Sequence, residues 1–95
     1  EALELIEKAI ALSPHDPYIL DSLGWVHYRM GNLNQGLSYL RQAFGMNPDP
    51  EIAAHLGEVL WMQGTTEDAK EVWQSALKNN PDNEVLIGTM KKFMK

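Results

Sequence analysis

The chain has 95 residues, a net charge of −5, 44% hydrophobic and 22% charged residues, and no cysteine. That is ordinary for one small folded domain; it excludes a disulfide framework or thiolate metal site and speaks against a nucleic-acid partner, because phosphate binding needs a basic stripe. No apolar run approaches the ~18 residues of a bilayer span, so no direct membrane insertion is expected of this segment.

Ala2, Leu3, Ile6, Ala9, Ile10 and Leu12 recur at helical spacing. Ser13-Pro14 stops that helix, since proline lacks a donor and disfavours helix at the residue before it. Asp16 is placed to cap a second helix with Pro17 at its first position, running to Met30 and ended by Gly31. Asn32 or Asn34 starts a third, to about Met46. The cluster Asn47-Pro48-Asp49-Pro50 is a turn, and a fourth helix follows to Met62, with Gly64 behind it. Thr65 or Thr66 opens a fifth, whose first turn carries Glu67 and Asp68, favourable at a helix N-terminus. After Asn80-Pro81-Asp82, Asp82 or Asn83 caps a last helix to about Met94. Lys91, Lys92 and Lys95 form the one basic cluster and complement the dipole of its C-terminal end. No stretch alternates with period 2, so the pattern is all-α, about six helices joined by short loops.

Most of the chain repeats at an offset of 33. Leu23-Gly24 aligns with Leu56-Gly57, Gly31 with Gly64, Ala43 with Ala76 and Asn47-Pro48 with Asn80-Pro81. A partial copy, Ala9 and Ser13-Pro14, lies 34 upstream. Self-similarity at this period signifies stacked helical hairpins, and such a solenoid offers a surface rather than a catalytic pocket.

The repeat resembles the tetratricopeptide repeat (TPR). One copy reads Leu20, Leu23, Gly24, His27, Gly36, Leu40, Ala43, Pro48; the next reads Ala53, Leu56, Gly57, Leu60, Ala69, Trp73, Ala76, Pro81. Ala2, Ile6, Ala9 and Pro14 supply the second helix of a truncated copy. His27 and Leu60 stand where that family usually has an aromatic, a role that Tyr28 and Trp61 are placed to take over. The resemblance implies a right-handed α-α superhelix forming a single domain over 1–95: a truncated repeat at 1–14, repeats at 17–49 and 50–82, and a polar capping helix at 83–95. Physically, Gly24 with Gly36, and Gly57 with Ala69, are expected at the closest approaches within each hairpin, with Leu40 and Trp73 filling the space between hairpins. The stretches around Leu23-Gly24 and Leu56-Gly57 look most like C-terminal repeats of bacterial envelope proteins, often lipoprotein adaptors, which implies a periplasmic or outer-membrane-associated setting; a cytoplasmic one stays open.

The resemblance further implies a concave groove lined by the first helix of each repeat, taking a protein or peptide partner. Carried over, its partner-binding positions are Tyr18, Asp21, Ser22, Trp25, Tyr28 and Arg29, then Glu51, Ala54, His55, Glu58, Trp61 and Met62, and in the last helix Val85, Thr89 and Lys92. Spacing agrees: Asp21, Trp25, Tyr28 and Arg29 share one helix face, as do Glu51, His55, Glu58 and Met62. Trp, Tyr and Arg are frequent interface anchors; against that, Trp25 and Trp61 could simply plug gaps between repeats. Asp21, Glu51 and Glu58 make the groove acidic and favour a ligand with Lys or Arg. The clamp with which relatives hold a C-terminal carboxylate needs Lys and Asn where Trp25 and Glu58 stand, so no such clamp is expected.

Nothing points to catalysis, a cofactor or a metal. Ser13, Ser22, Ser38 and Ser75 lack a nucleophile-elbow context. Glu51 and Glu58 lie about 10 Å apart on one face, a glycosidase-like separation that any acidic helix produces. His15, His27 and His55 show no ligand spacing; His27 reads as a packed ring, His55 as a groove residue, His15 as a turn residue. The sequence starts inside a helical pattern, which suggests a piece of a longer protein. The uncovered flank of its first helix predicts self-association through residues 1–12. Alternatives to the binding scaffold are a structural cap of a longer array and a regulatory domain of a larger enzyme.

Overall fold

The computed structural model describes residues 16–94, which form five α-helices and no strand: α1 (Pro17–Arg29), α2 (Leu33–Met46), α3 (Pro50–Gln63), α4 (Thr66–Asn79) and α5 (Glu84–Phe93). The opening helix, its self-association and His15 lie outside the described residues. No described helix is long and apolar enough to cross a membrane.

The starts of the first helices in each hairpin follow from local chemistry. Asp16 accepts from the Tyr18 and Ile19 amides ahead of Pro17, and Asp49 from the Glu51 amide ahead of Pro50. Asn83 does the same for Leu86 and opens α5. These bonds satisfy donors that a helix leaves orphaned. The second helices differ from expectation. Asn32 and Thr65 occupy the capping positions, but neither side chain accepts a capping bond. The Asn32 amide is drawn to His27 Nδ1 instead, at 3.3 Å, and the Thr65 hydroxyl donates back to the Leu60 carbonyl at 3.0 Å. Both hairpin turns need the left-handed glycine ahead of these residues: Gly31 at φ 89° and Gly64 at φ 100°. In each, the next residue's amide reaches back to close the helix, Asn32 to the His27 carbonyl and Thr65 to the Leu60 carbonyl.

α1 packs on α2 and α3 on α4 as antiparallel pairs, and α3 bridges to α2 on one side and to α5 on the other. The main core joins Leu40, Ala53, Leu56, Val59, Leu60, Ala69, Trp73, Ala76 and Leu86; a smaller one joins Leu20, Ala43 and Ile52. Leu40 and Trp73 are fully buried between hairpins. Gly24 and Gly36 do face each other: a Cβ on either would stand 2.8–2.9 Å from the other's carbonyl oxygen. Gly57 is used differently. It makes room for the Trp73 indole rather than for the α4 backbone at Ala69. Trp73, Trp61 and Phe93 form a three-ring cluster, with Trp73 5.8 Å from Trp61 and 5.9 Å from Phe93 between centroids and those two 6.0 Å apart, and the Trp73 N–H donates to the Ala54 carbonyl at 3.3 Å. His27 is buried, with its ring stacked on Tyr39 at 5.5 Å.

Candidate functional site

α1 and α3 run side by side, and the residues that spacing assigns to a concave face meet at their seam. His55 on α3 donates through Nδ1 to Asp21 Oδ1 on α1 at 2.8 Å. The Trp25 ring stacks on His55, centroids 4.2 Å apart, and meets Tyr28 at 5.0 Å. The Tyr28 hydroxyl then crosses back to Glu58 Oε2 at 2.9 Å. These four contacts form one continuous polar and aromatic ladder, Asp21–His55–Trp25–Tyr28–Glu58. At the N-terminal end of the seam, the Tyr18 hydroxyl donates to Asp49 Oδ2 at 3.1 Å and accepts from the Asn47 amide at 3.0 Å.

The remaining candidates divide. Ser22 is exposed and donates its hydroxyl to the Tyr18 carbonyl one turn back. Arg29 and Met62 are exposed near the C-terminal ends of α1 and α3. Trp61 is half-buried and leans away from the ladder onto Trp73 and Phe93, with the Lys70 ammonium 6.0 Å above its ring. Ala54 is buried in the main core, where its carbonyl accepts from the Trp73 indole, so it contributes no open surface. On α5, Val85 and Lys92 are exposed and Thr89 bonds its own helix backbone through the Val85 carbonyl.

Sequence spacing places the face but not these cross-helix partners. A signal for them exists in the period. Asp21 and His55 are 34 residues apart, one more than the repeat, and Tyr28 and Glu58 are 30 apart, three fewer. On neighbouring parallel helices those offsets put side chains within a turn of each other.

The electrostatics follow from the pairing. Burial, and then the bond to the Glu58 carboxylate, push the Tyr28 phenol up from 10.0 to about 12. Asp49, by accepting a hydrogen bond from the Tyr18 hydroxyl, likewise holds that exposed phenol above its usual range. A phenol whose folded-state value is raised stabilises the fold below the unfolded value and loses that contribution as pH rises through the folded one. The stability difference between the wild type and Tyr28→Phe is therefore expected to be constant up to about pH 10 and to shrink towards pH 12. Urea melts of both proteins across that range check it; a gap that widens with pH would contradict a Tyr28 phenol raised by burial and by Glu58.

A family model for the tetratricopeptide repeat matches residues 22–84. The chain belongs to the tetratricopeptide repeat family. It is 60% identical over 58 residues to a TPR repeat-containing protein of Pseudomonas aeruginosa, a match covering 61% of this chain and 10% of that protein. It is also 31% identical over 101 residues to the protein O-mannosyl-transferase TMTC1 of Mus musculus, covering 98% of this chain and 10% of that one. The chain thus spans about a tenth of the length of either relative. Among solved structures, a thermophilic TPR protein of Thermus thermophilus superposes with a TM-score of 0.89 at 22% identity, covering 98% of this chain and 48% of that one. The first TPR of Spaghetti (RPAP3), bound to the HSP90 peptide SRMEEVD, superposes with a TM-score of 0.84 at 16% identity, covering 97% and 74%. These two likenesses establish the TPR solenoid fold.

Proposed function

We propose that this segment is a non-catalytic protein-interaction module that takes a partner peptide along the α1/α3 face. The observation that carries the reading is the setting of Trp25: half-buried, flat on His55 and against Tyr28, the two residues that bond Asp21 and Glu58, with Arg29 exposed one turn further along α1 and Met62 exposed on α3. An aromatic held rigid by a neighbouring ring loses little entropy on binding, which is what makes such residues anchors. In this reading Trp25, Arg29 and Met62 touch the partner directly, while Asp21, His55, Tyr28 and Glu58 shape and charge the face they line. Tyr18 and Ser22 extend it, and Trp61 borders it. Repeats at 17–49 and 50–82 with a cap from 83 onward, and a place in a bacterial envelope adaptor, belong to the same proposal; the P. aeruginosa relative supports its bacterial part.

Charge decides the class of partner. Asp21, Asp49, Glu51 and Glu58 lie on or beside the face, against Arg29 on α1 and Lys92 on α5. An acidic peptide such as SRMEEVD, the ligand of one structural neighbour, meets like charge here, and like charge across an interface costs several kcal/mol. Calorimetric titration is expected to show no binding of that peptide and measurable, salt-sensitive binding of its counterpart with Lys in place of each Glu and Asp. Equal or tighter binding of the acidic form would overturn the assignment, as would a lysine form that does not bind.

A further inference from the structure

α2 and α4, the second helices of the two hairpins, flank a groove that no residue of α1 lines. They do not touch: no Cα of one comes within 8 Å of a Cα of the other. The groove between them measures about 330 Å³. Its floor is the buried Leu60 of α3, and half-buried Phe44 and Val72 line its walls. Exposed Arg41 stands on the α2 rim, and exposed Asp68, Glu71 and Ser75 on the α4 rim. Charge is graded along it. By the 33-residue repeat Arg41 stands level with residue 74, six residues and about 9 Å beyond Asp68. The groove is therefore negative where α4 begins and positive nearly two turns on, over an apolar floor.

A helix lying antiparallel to α2 and α4 would match this charge with an acid in its first turn and bases in its last, the placement that its own dipole favours. The open side of α5 has that arrangement. Its exposed residues are Glu84, Val85, Gly88, Lys91 and Lys92. At 3.6 residues per turn they share one face, with Gly88 in the middle. Glu84 lies in the first turn and Lys91 and Lys92 in the last, with Glu84 and Lys91 about 10 Å apart along the axis. A Cβ on Gly88 would meet nothing within 4 Å. No packing among the described residues thus calls for glycine there, although glycine weakens a helix interior. A bare backbone at the centre of an open face lets another surface approach closely. The opening segment is a poorer match, because Glu1, Glu4 and Glu7 against one Lys8 would meet like charge at Asp68 and Glu71. We infer that α5 of one copy lies in the α2/α4 groove of a second copy. Glu84 then meets Arg41, Lys91 and Lys92 meet Asp68 and Glu71, Val85 rests against Phe44 and Val72, and Gly88 faces the floor. Groove and helix are different surfaces, so the contact is heterologous and joins copies head to tail. A ten-residue helix in one groove buries less than the roughly 1,200 Å² of a stable complex, so the contact is weak and depends on concentration.

The test is sedimentation equilibrium of the chain over a range of concentrations at low salt. The weight-average mass of the wild type is expected to rise above the monomer value towards millimolar protein, and to fall back when salt screens the contact. Two charge variants, Lys91→Glu with Lys92→Glu and Asp68→Asn with Glu71→Lys, are each expected to stay monomeric alone. Mixed in equal amounts they are expected to associate again, because each then meets a groove or a helix of opposite charge. Circular dichroism shows that both are folded before mixing. Gly88→Gln is expected to raise the thermal midpoint, since its Cβ is unobstructed, and yet to weaken association by about 10-fold or more, since the helix no longer reaches the floor. A wild type that stays monomeric at every concentration would overturn the inference. Association that survives either charge variant alone would place the contact elsewhere, the opening helix included, and would overturn it too. So would a mixture of the two folded variants that stays monomeric, or a Gly88→Gln protein that associates as tightly as the wild type.

Discussion

Gly57→Ala is expected to destabilise the protein by about 2–4 kcal/mol. An ideal Cβ at Gly57 would overlap Nε1, Cε2 and Cδ1 of Trp73. The indole cannot retreat, because Trp61 and Phe93 stack on it at centroid distances of 5.8 and 5.9 Å and it has no exposed surface. Any shift also endangers the bond from its N–H to the Ala54 carbonyl, and a buried donor left unpaired costs about 1–3 kcal/mol. Overpacking adds roughly 1–3 kcal/mol. Against these, alanine regains only about 1 kcal/mol of helix propensity over glycine. Domains of this kind have total stabilities of roughly 5–15 kcal/mol, so the loss is a large share. Chemical denaturation reads it directly. The partner substitution Trp73→Leu removes the obstructing ring and is expected to cost a few kcal/mol alone. Combined with Gly57→Ala, the two should be less damaging than their sum, because residues in contact do not add. A Gly57→Ala protein as stable as the wild type would show that the indole does not lie against α3.

The same contact explains what the sequence makes plain and what it hides. Helix boundaries are legible because each is set by a few residues acting locally: Asp before Pro at 16–17 and 49–50, and glycine where the turn goes left-handed at 31 and 64. The period then gives the stacking order. Asn32 and Thr65 mislead because their side chains have competing partners, His27 and the Leu60 carbonyl, that no window of a few residues reveals. Ala54 misleads for a related reason. Its spacing along the helix assigns it to the groove, but it is buried in the core cluster that also holds Trp73, 19 positions on. The groove face itself can be read from i, i+4 spacing, whereas the ladder from Asp21 to Glu58 depends on how far one hairpin slides past the next. That register is a tertiary quantity, and only the repeat period carries a trace of it.

Register also makes alanine at Gly36 and alanine at Gly45 opposite experiments, although both glycines lie in α2. A Cβ on Gly36 would stand 2.8 Å from the Gly24 carbonyl oxygen and 3.1 Å from the Tyr28 amide nitrogen. Both obstacles are backbone, so no rotamer change relieves them and α1 must move away from α2. The expected cost is about 1–3 kcal/mol, larger than the ~1 kcal/mol of propensity gained. A Cβ on Gly45 meets nothing within 4 Å, so Gly45→Ala is expected to stabilise by up to about 1 kcal/mol. The signs should therefore differ within one helix, under one denaturant and one probe. The Gly36 change reaches further, because the Cβ of Tyr28 lies 3.3 Å from the new methyl position and Tyr28 carries the bond to Glu58. Displacing α1 there pulls on the ladder that holds Trp25. Gly36→Ala should consequently weaken capture of the lysine-substituted peptide even at temperatures where the protein stays folded, while Gly45→Ala leaves capture unchanged. Equal affinity in the two variants would mean that the groove does not depend on how closely the first hairpin is packed, and the mechanical link from Gly24–Gly36 through Tyr28 to the binding face would be wrong.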